Sequence, residues 1–244
     1  EGLHLAGVDL PAVIRAGEPW WAQFYWQKQG AVGEEYTLSL RLVDENGRLW
    51  QQANGMLWYS YPPVRWPDGT LLRYDHEAQL AAGLPPGAYD VWLRVLDQDL
   101  QPVAHSESGI DVRLGSVIVA AGQDVAALPP IIRQNNRLGD VNFLGYTMPD
   151  SEIRPGHIVP LEFFWQVRRT PPADYQLQVQ VLAEDGVVAT ETITDPTRPD
   201  YPTSQWQPGD VLQSQVELVI PGTAVAGPYQ VQLRFVNASG APVG

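Results

Sequence analysis

The sequence contains no cysteine, which excludes a disulfide framework and a thiolate zinc site and leaves the redox compartment open. Cations are scarce as well: 15 Lys and Arg stand against 28 Asp and Glu, for a net charge of −13, and Lys28 is the only lysine. Both halves share the deficit, with 8 basic and 15 acidic residues in 1–120 and 7 and 13 in 121–244. The clustered Lys and Arg that nucleic acid or an anionic membrane surface would require are therefore missing. No apolar run approaches the roughly 18 to 20 residues of a membrane-crossing helix, so no membrane insertion is expected. The chain opens at Glu1 without a signal peptide, and LHLAGVDL (3–10) reads as a strand already under way, so we expect a piece of a longer protein.

What the sequence does contain is largely written twice. At an offset of 139, AGEPWWAQFYWQ (16–27) lies over PGHIVPLEFFWQ (155–166), which equates Trp26 with Trp165. EEYTLSLRLVDENG (34–47) lies over ADYQLQVQVLAEDG (173–186) in the same register. With one extra residue, YPPVRWPDGT (61–70) meets YPTSQWQPGD (201–210), pairing Trp66 with Trp206, and PPGAYDVWLRVLD (85–97) meets VAGPYQVQLRFVN (225–237), pairing Tyr89 with Tyr229. A period of this length reads as two copies of one domain. We place copy one at 1–119, a linker at 120–140, where alternation lapses around a Pro-Pro pair, and copy two at 141–244.

Within each copy the apolar residues alternate, the mark of a half-buried strand. Tyr89, Val91, Leu93 and Val95 alternate with Asp90, Trp92 and Arg94, and Tyr229, Val231, Leu233 and Phe235 do so with Gln230, Gln232 and Arg234. Asn46-Gly47 and Asp185-Gly186 read as short type I′ hairpin turns. Short strands and frequent turn residues, with 22 Gly and 22 Pro, predict an all-β protein of two tandem antiparallel sandwiches, immunoglobulin-like or jelly-roll-like. After the matched Pro-Val, copy one continues into IDVRLGSVIV (110–119), a closing strand with no counterpart before Gly244, so copy two is expected to expose a sheet edge.

Chemistry-bearing patterns are few. His4, His76, His105 and His157 are scattered, none at metal spacing, and are expected at the surface; no metal and no cofactor is expected. Asp97 with Asp99, Glu184 with Asp185, and Asp195 with Asp200 match no calcium loop and read as solvated charge. Neither a GxSxG elbow, a phosphate-cradling loop nor a nucleophile with its base is present, so an enzyme is not expected. A glycoside hydrolase fragment is a third reading, which would need a cleft with paired carboxylates.

The nine tryptophans carry more information, because the repeat sorts them. Trp26, Trp165, Trp66 and Trp206 stand at the same places in both copies, as do Tyr89 and Tyr229, and are best explained by packing. Trp20, Trp21, Trp50, Trp58 and Trp92 occur in copy one alone. By alternation Trp20, Phe24 and Trp26 point inward, whereas Trp21, Tyr25 and Trp92 point out. A pyranose stacks its flat apolar face on an aromatic ring, so Trp21, Tyr25, Trp58, Tyr59 and Trp92, with Arg94 beside it, form the candidate glycan platform. The competing reading buries these rings against another domain.

The pattern PG-x4-L-x-F-x-W-Q, followed by Y-P-T-S-x-W-x-P-G and G-x-Y-x-V-x-L-R, resembles the β-sandwich repeats found outside the membrane in bacterial surface proteins. Similar tails follow the transmembrane part of polytopic glycosyltransferases of the protein-mannosyltransferase-like kind. The resemblance covers 137–244, and 5–119 through the internal match. It implies a non-catalytic accessory domain on the outer face of a membrane or at a cell surface, with the rest of the parent protein as its partner. Copy one departs from the pattern, with Pro63-Val64 in place of Thr203-Ser204.

Overall fold

A computed structural model describes residues 2–33, 35–103, 109–149 and 152–243; His105 lies outside them. The fold is all-β. The chain divides into two compact units, one of residues 1–81 and 86–120, the other of 82–85 and 121–244.

The first unit holds β1 (Gly2–Asp9), β2 (Val13–Arg15), β3 (Pro19–Gln29), β4 (Thr37–Val43), β5 (Leu49–Met56), β6 (Leu71–Gln79), β7 (Gly87–Leu96) and β8 (Val112–Ala120). They make a three-stranded sheet, β1-β3-β6, and a five-stranded sheet, β2-β8-β7-β4-β5. All neighbours are antiparallel except β2 and β8. The second unit holds β9 (Ile132–Leu138), β10 (Val141–Thr147), β11 (Ile158–Val167), β12 (Gln176–Ala183), β13 (Val188–Thr194), β14 (Val211–Val219), β15 (Tyr229–Val236) and β16 (Pro242–Val243). Its sheets run β14-β11-β10-β9 and β13-β12-β15-β16, antiparallel throughout. Residues 132–138, expected within the linker, thus form a strand.

Alternation decides which side chains enter the core. In β3, Trp20, Ala22, Phe24 and Trp26 are buried, and in β11 Val159, Leu161, Phe163, Trp165 and Val167 are. Burying one such large apolar side chain contributes roughly 1.5–3 kcal/mol. The turns between β4 and β5 and between β12 and β13 differ from expectation. Gly47 and Gly186 take φ of 80°, but Asn46 and Asp185 are not among the positive-φ residues. Each is a tight turn with glycine in the left-handed position and a register shift beside it, rather than type I′. Asp44 stabilises the first, accepting from the amides of Asn46 and Arg48 at 2.9 and 3.0 Å.

The doubled Tyr-Pro…Trp segment carries the chain from one sheet to the other. It lies between β5 and β6 in the first unit and between β13 and β14 in the second, each time around a single 3-10 turn, Pro63–Arg65 or Thr203–Gln205. Trp66 and Trp206 are fully buried, and their indole N–H groups donate to the carbonyls of Tyr61 and Tyr201 at 2.8 and 3.3 Å. In the second unit Thr203 adds a clasp that Pro63 cannot supply: its hydroxyl donates to Ala173 O and accepts from Tyr175 N. Thr203 is a structural residue.

Two core positions depart from the sequence reading. Tyr89 and Val91 of β7 are 1% and 0% exposed, but their counterparts Tyr229 and Val231 of β15 are 38% and 50% exposed. The alternation is the same; the neighbouring strand is not. β7 pairs with β8 along Gly87–Leu93, whereas on that side, among the described residues, β15 pairs only with β16, through Phe235 and Val236.

The central indoles also differ in satisfaction. Trp165 Nε1 donates to Ser214 Oγ at 2.7 Å, and that hydroxyl donates onward to Pro196 O. Among the described residues Trp26 Nε1 has no hydrogen-bond partner. Ser214→Ala removes the hydroxyl that links the buried Trp165 indole to Pro196 O and leaves both without this partner. It is expected to cost about 1–3 kcal/mol, read as a lowered urea midpoint for the second unit; an unchanged midpoint would show that the bridge contributes nothing.

Candidate functional site

The six candidate platform residues do not form one surface. They divide between the outer face of the three-stranded sheet, the outer face of the five-stranded sheet, and the loop after β5.

On the three-stranded sheet, Trp21, Gln23 and Tyr25 are successive outward residues of β3. Trp21 is 51% exposed. From Trp21 to Tyr25 the strand advances about 13 Å at roughly 3.3 Å per residue, which gives a flat run longer than one sugar ring. Its cross-strand neighbours are polar. Glu77, Asp75 and Arg73 of β6 stand opposite Trp21, Gln23 and Tyr25, and Asp9 of β1 stands opposite Gln23. Arg73 grips Asp75 through two hydrogen bonds of 3.0 and 2.9 Å, which hold that carboxyl below the usual carboxylate range. Tyr25 OH donates to Asp9 Oδ2 at 2.9 Å, which raises the phenol above its ordinary value and fixes the ring. Opposite Tyr25, β1 offers Gly7, where an added Cβ would meet Tyr25 Cδ2 at 3.8 Å. The framing groups were missed in the sequence, although LLRYDHEAQ of β6 alternates plainly enough to place Arg73, Asp75 and Glu77 outward.

On the five-stranded sheet, Trp92 is half-buried between Arg41 of β4 and Arg113 of β8 in the cross-strand register. The neighbouring charges are already engaged with each other. Arg94 binds Asp111 through two bonds of 2.7 Å, Arg41 reaches the same carboxylate at 3.2 Å, and Arg113 binds Asp90 through two bonds of 2.8 Å. Arg113, joined by Ser116, lowers the Asp90 carboxyl below its ordinary range. Arg94 is thus an ion-pair partner that flanks Trp92, and this face is laced together across strands.

Trp58 belongs to neither face. It takes φ of 50°, a left-handed conformation that is uncommon for a bulky residue. Packing holds it there: its ring stacks on Tyr74 at 5.7 Å and meets Tyr61 and Trp66 edge-on at 5.5 and 6.0 Å. It is a half-buried plug over the corner, so its role as an outward platform residue is corrected. Tyr59 beside it is 79% exposed. Trp50 is buried, donating to Asp44 Oδ2 at 2.8 Å beneath Arg48.

His76, expected at the surface, is buried beside this plug. Leu72, Tyr74, His76 and Ala78 form the inward set of β6, so the pattern that placed the β6 charges outward also places His76 inside. Tyr74 OH donates to Met56 O at 3.0 Å and lies 3.3 Å from His76 Nδ1. Having given its single proton away, the hydroxyl accepts from Nδ1–H, which selects that neutral tautomer. Burial pushes the imidazole below its ordinary value and the Tyr74 phenol above its own.

Among the described residues no three His, Asp or Glu side chains gather where they could hold a metal ion. The acidic pairs serve turns instead. Asp97 Oδ1 accepts from the amides of Asp99 and Gln101, Asp185 accepts from Val187 N, and Asp200 pairs with buried Arg198.

Compared with protein-family models and with curated proteins, the chain matches none.

Because His76 is held neutral in the fold, the unfolded chain binds a proton that the folded chain refuses once pH falls below 6.5. Stability is full above that value and declines as pH falls toward the depressed folded pKa. The urea midpoint is expected to drop more between about pH 7.5 and pH 5 in the native chain than in His76→Gln. Parallel pH profiles would show that His76 is not the proton-linked group.

Proposed function

We propose that the chain is a non-catalytic, extracytoplasmic accessory module of a larger surface or membrane protein, built from two tandem copies of one β-sandwich. In this reading the outer face of β1-β3-β6 recognises glycan. The observation that carries it is the exposed Trp21, in line with Gln23 and the hydrogen-bonded Tyr25 and flanked by Asp9, Arg73, Asp75 and Glu77. An apolar ring supplies the stacking surface, and fixed polar groups at its margins supply hydroxyl partners.

The second unit favours a competing reading in which such faces are covered by polypeptide. There Phe164 stands where the first unit has Tyr25, and it is buried with Ala82, Leu128 and Val211. The two faces differ in the surroundings of the ring, however. Phe164 is packed by apolar side chains including Ile131 and Leu144, whereas Trp21 and Tyr25 stand among carboxylates and a guanidinium. A charged frame suits a hydrated ligand better than a buried domain contact. The tandem reading rests on element spacing: β3, β4, β6 and β7 recur as β11, β12, β14 and β15, shifted by 139 or 140 residues apart from trimmed ends.

Calorimetric titration against neutral and acidic polysaccharides is expected to show binding that Trp21→Ala weakens by about tenfold or more, equivalent to about 1.4 kcal/mol. Trp92→Ala, on the other sheet, is expected to leave it unchanged. Silence across all polysaccharides, with the chain folded, would leave the spacer or protein-interaction reading in its place.

A further inference from the structure

The second unit is open where the first is closed. Between its sheets lies a cleft of about 980 Å³, whose walls include Phe143, Val159, Leu161, Phe163, Leu218 and Val231. These are inward positions of their strands, the class that elsewhere fills the core. The cleft runs beneath the unpaired side of β15, where Tyr229 and Val231 are exposed. A backbone edge with free N–H and C=O groups beside exposed aliphatic side chains has the chemistry of a strand acceptor.

The first unit shows what such a place takes. There β8 runs antiparallel to β7, with Val117 opposite Tyr89, Gly115 opposite Val91 and Val119 opposite Gly87. Val117 and Val119 are each 1% exposed, closing over the core, while Arg113, Ser116 and Ile118 face outward. β2 then adds in parallel on the far side of β8. In the second unit residues 152–154, at the spacing of β2, form no strand, and among the described residues no strand takes the place of β8.

We infer that β15 and the cleft beneath it accept one antiparallel β-strand from the parent polypeptide. This strand carries aliphatic residues opposite Gly227 and Tyr229 and a small residue opposite Val231. The inference rests on the reading of the chain as a module of a larger protein, and it adds that this module is completed by insertion of a strand. Main-chain pairing along residues 229–234 supplies the ladder, and the alternate aliphatic side chains fill the cleft, as Val117 and Val119 do in the first unit. An apolar strand fits better than a soluble ligand because the lining is mainly apolar, and its two charged members, Glu152 and Arg154, are paired with each other at 3.0 Å.

The test uses the 244-residue chain, with the sequence IDVRLGSVIVA (residues 110–120) appended through a Gly-Ser spacer and, separately, added as a free peptide. Hydrogen exchange is followed at the β15 amides. The fused strand is expected to slow exchange there by about tenfold or more and to raise the thermal midpoint of the second unit, since a group that binds only the folded state stabilises it. A fused strand with proline in place of the residue matching Val117 is expected to do neither, because proline cannot join the ladder. Unchanged β15 exchange with both fusion and peptide overturns the inference. So does protection of β15 that grows with protein concentration in the unmodified chain, which would assign the edge to a second copy. Polysaccharide titration of the same samples reads Trp21 on the other unit, so failure of strand insertion is distinguishable from failure of the glycan reading.

Discussion

The hydrogen bond from a buried indole to the tyrosine carbonyl that opens the corner is the contact on which each sandwich depends. Strands β5 and β6 lie in different sheets, as do β13 and β14, so the chain must leave one layer, cross the end of the core and enter the other. A crossing of this kind strips backbone groups of ladder partners, and each buried one left unpaired costs stability. Proline after the tyrosine removes one donor at the point where the ladder ends, and the 3-10 turn closes another bond locally, from Trp66 N to Pro63 O or Trp206 N to Thr203 O. The indole then fills the end of the core and satisfies the tyrosine carbonyl in one step. At the second corner burial and the neighbouring Asp210 carboxylate, to which Tyr201 OH donates at 2.9 Å, push the half-buried Tyr201 phenol above its ordinary value.

That constraint explains why repetition in the sequence marks structure rather than binding. A residue at matching sequence places in both units answers a demand made by both, and Trp26, Trp66, Trp165 and Trp206 are all buried. The rings found once are of two kinds. Trp20 and Trp50 are buried, and Trp58 packs over a corner where Pro63 stands in place of Thr203. Trp21 and Trp92 lie on outer faces. Uniqueness alone therefore does not identify a site; combined with outward alternation it leaves two candidates, Trp21 and Trp92, which only their surroundings separate.

Much of the fold was legible because period-two alternation is imposed by the strand itself. β3, β7 and β11 could be assigned a buried face from their residues, and β6 could have been, which would have placed His76 inside. What alternation cannot report is whether a strand has a neighbour. Tyr229 and Val231 carry the inward pattern of Tyr89 and Val91, yet exposure depends on pairing at the edge, which is a property of the sheet. β9 was hidden for the opposite reason. IRQNNRL is exposed along nearly its whole length, so neither face needs to be apolar and no period appears. The left-handed backbone at Trp58 was equally unreadable, since the ring is packed by Tyr61, Trp66 and, from β6, Tyr74.

The candidate site follows the same division. Each member's orientation was written in its strand, but their grouping was not, because Trp21 and Trp92 belong to different sheets whose outer faces point apart. Charge then separates the two faces. Around Trp92 the guanidinium groups of Arg41, Arg94 and Arg113 are turned onto Asp90 and Asp111, so the polar groups there already satisfy one another and brace β4, β7 and β8. Around Trp21 the carboxylate of Glu77 and the amide of Gln23 border an exposed ring on a strand already fixed by neighbours on both sides. Rigid backbone, an open ring and hydrogen-bonding groups at its margin keep the entropy cost of recognition low. That combination, and not the number of tryptophans, makes the three-stranded face the better candidate.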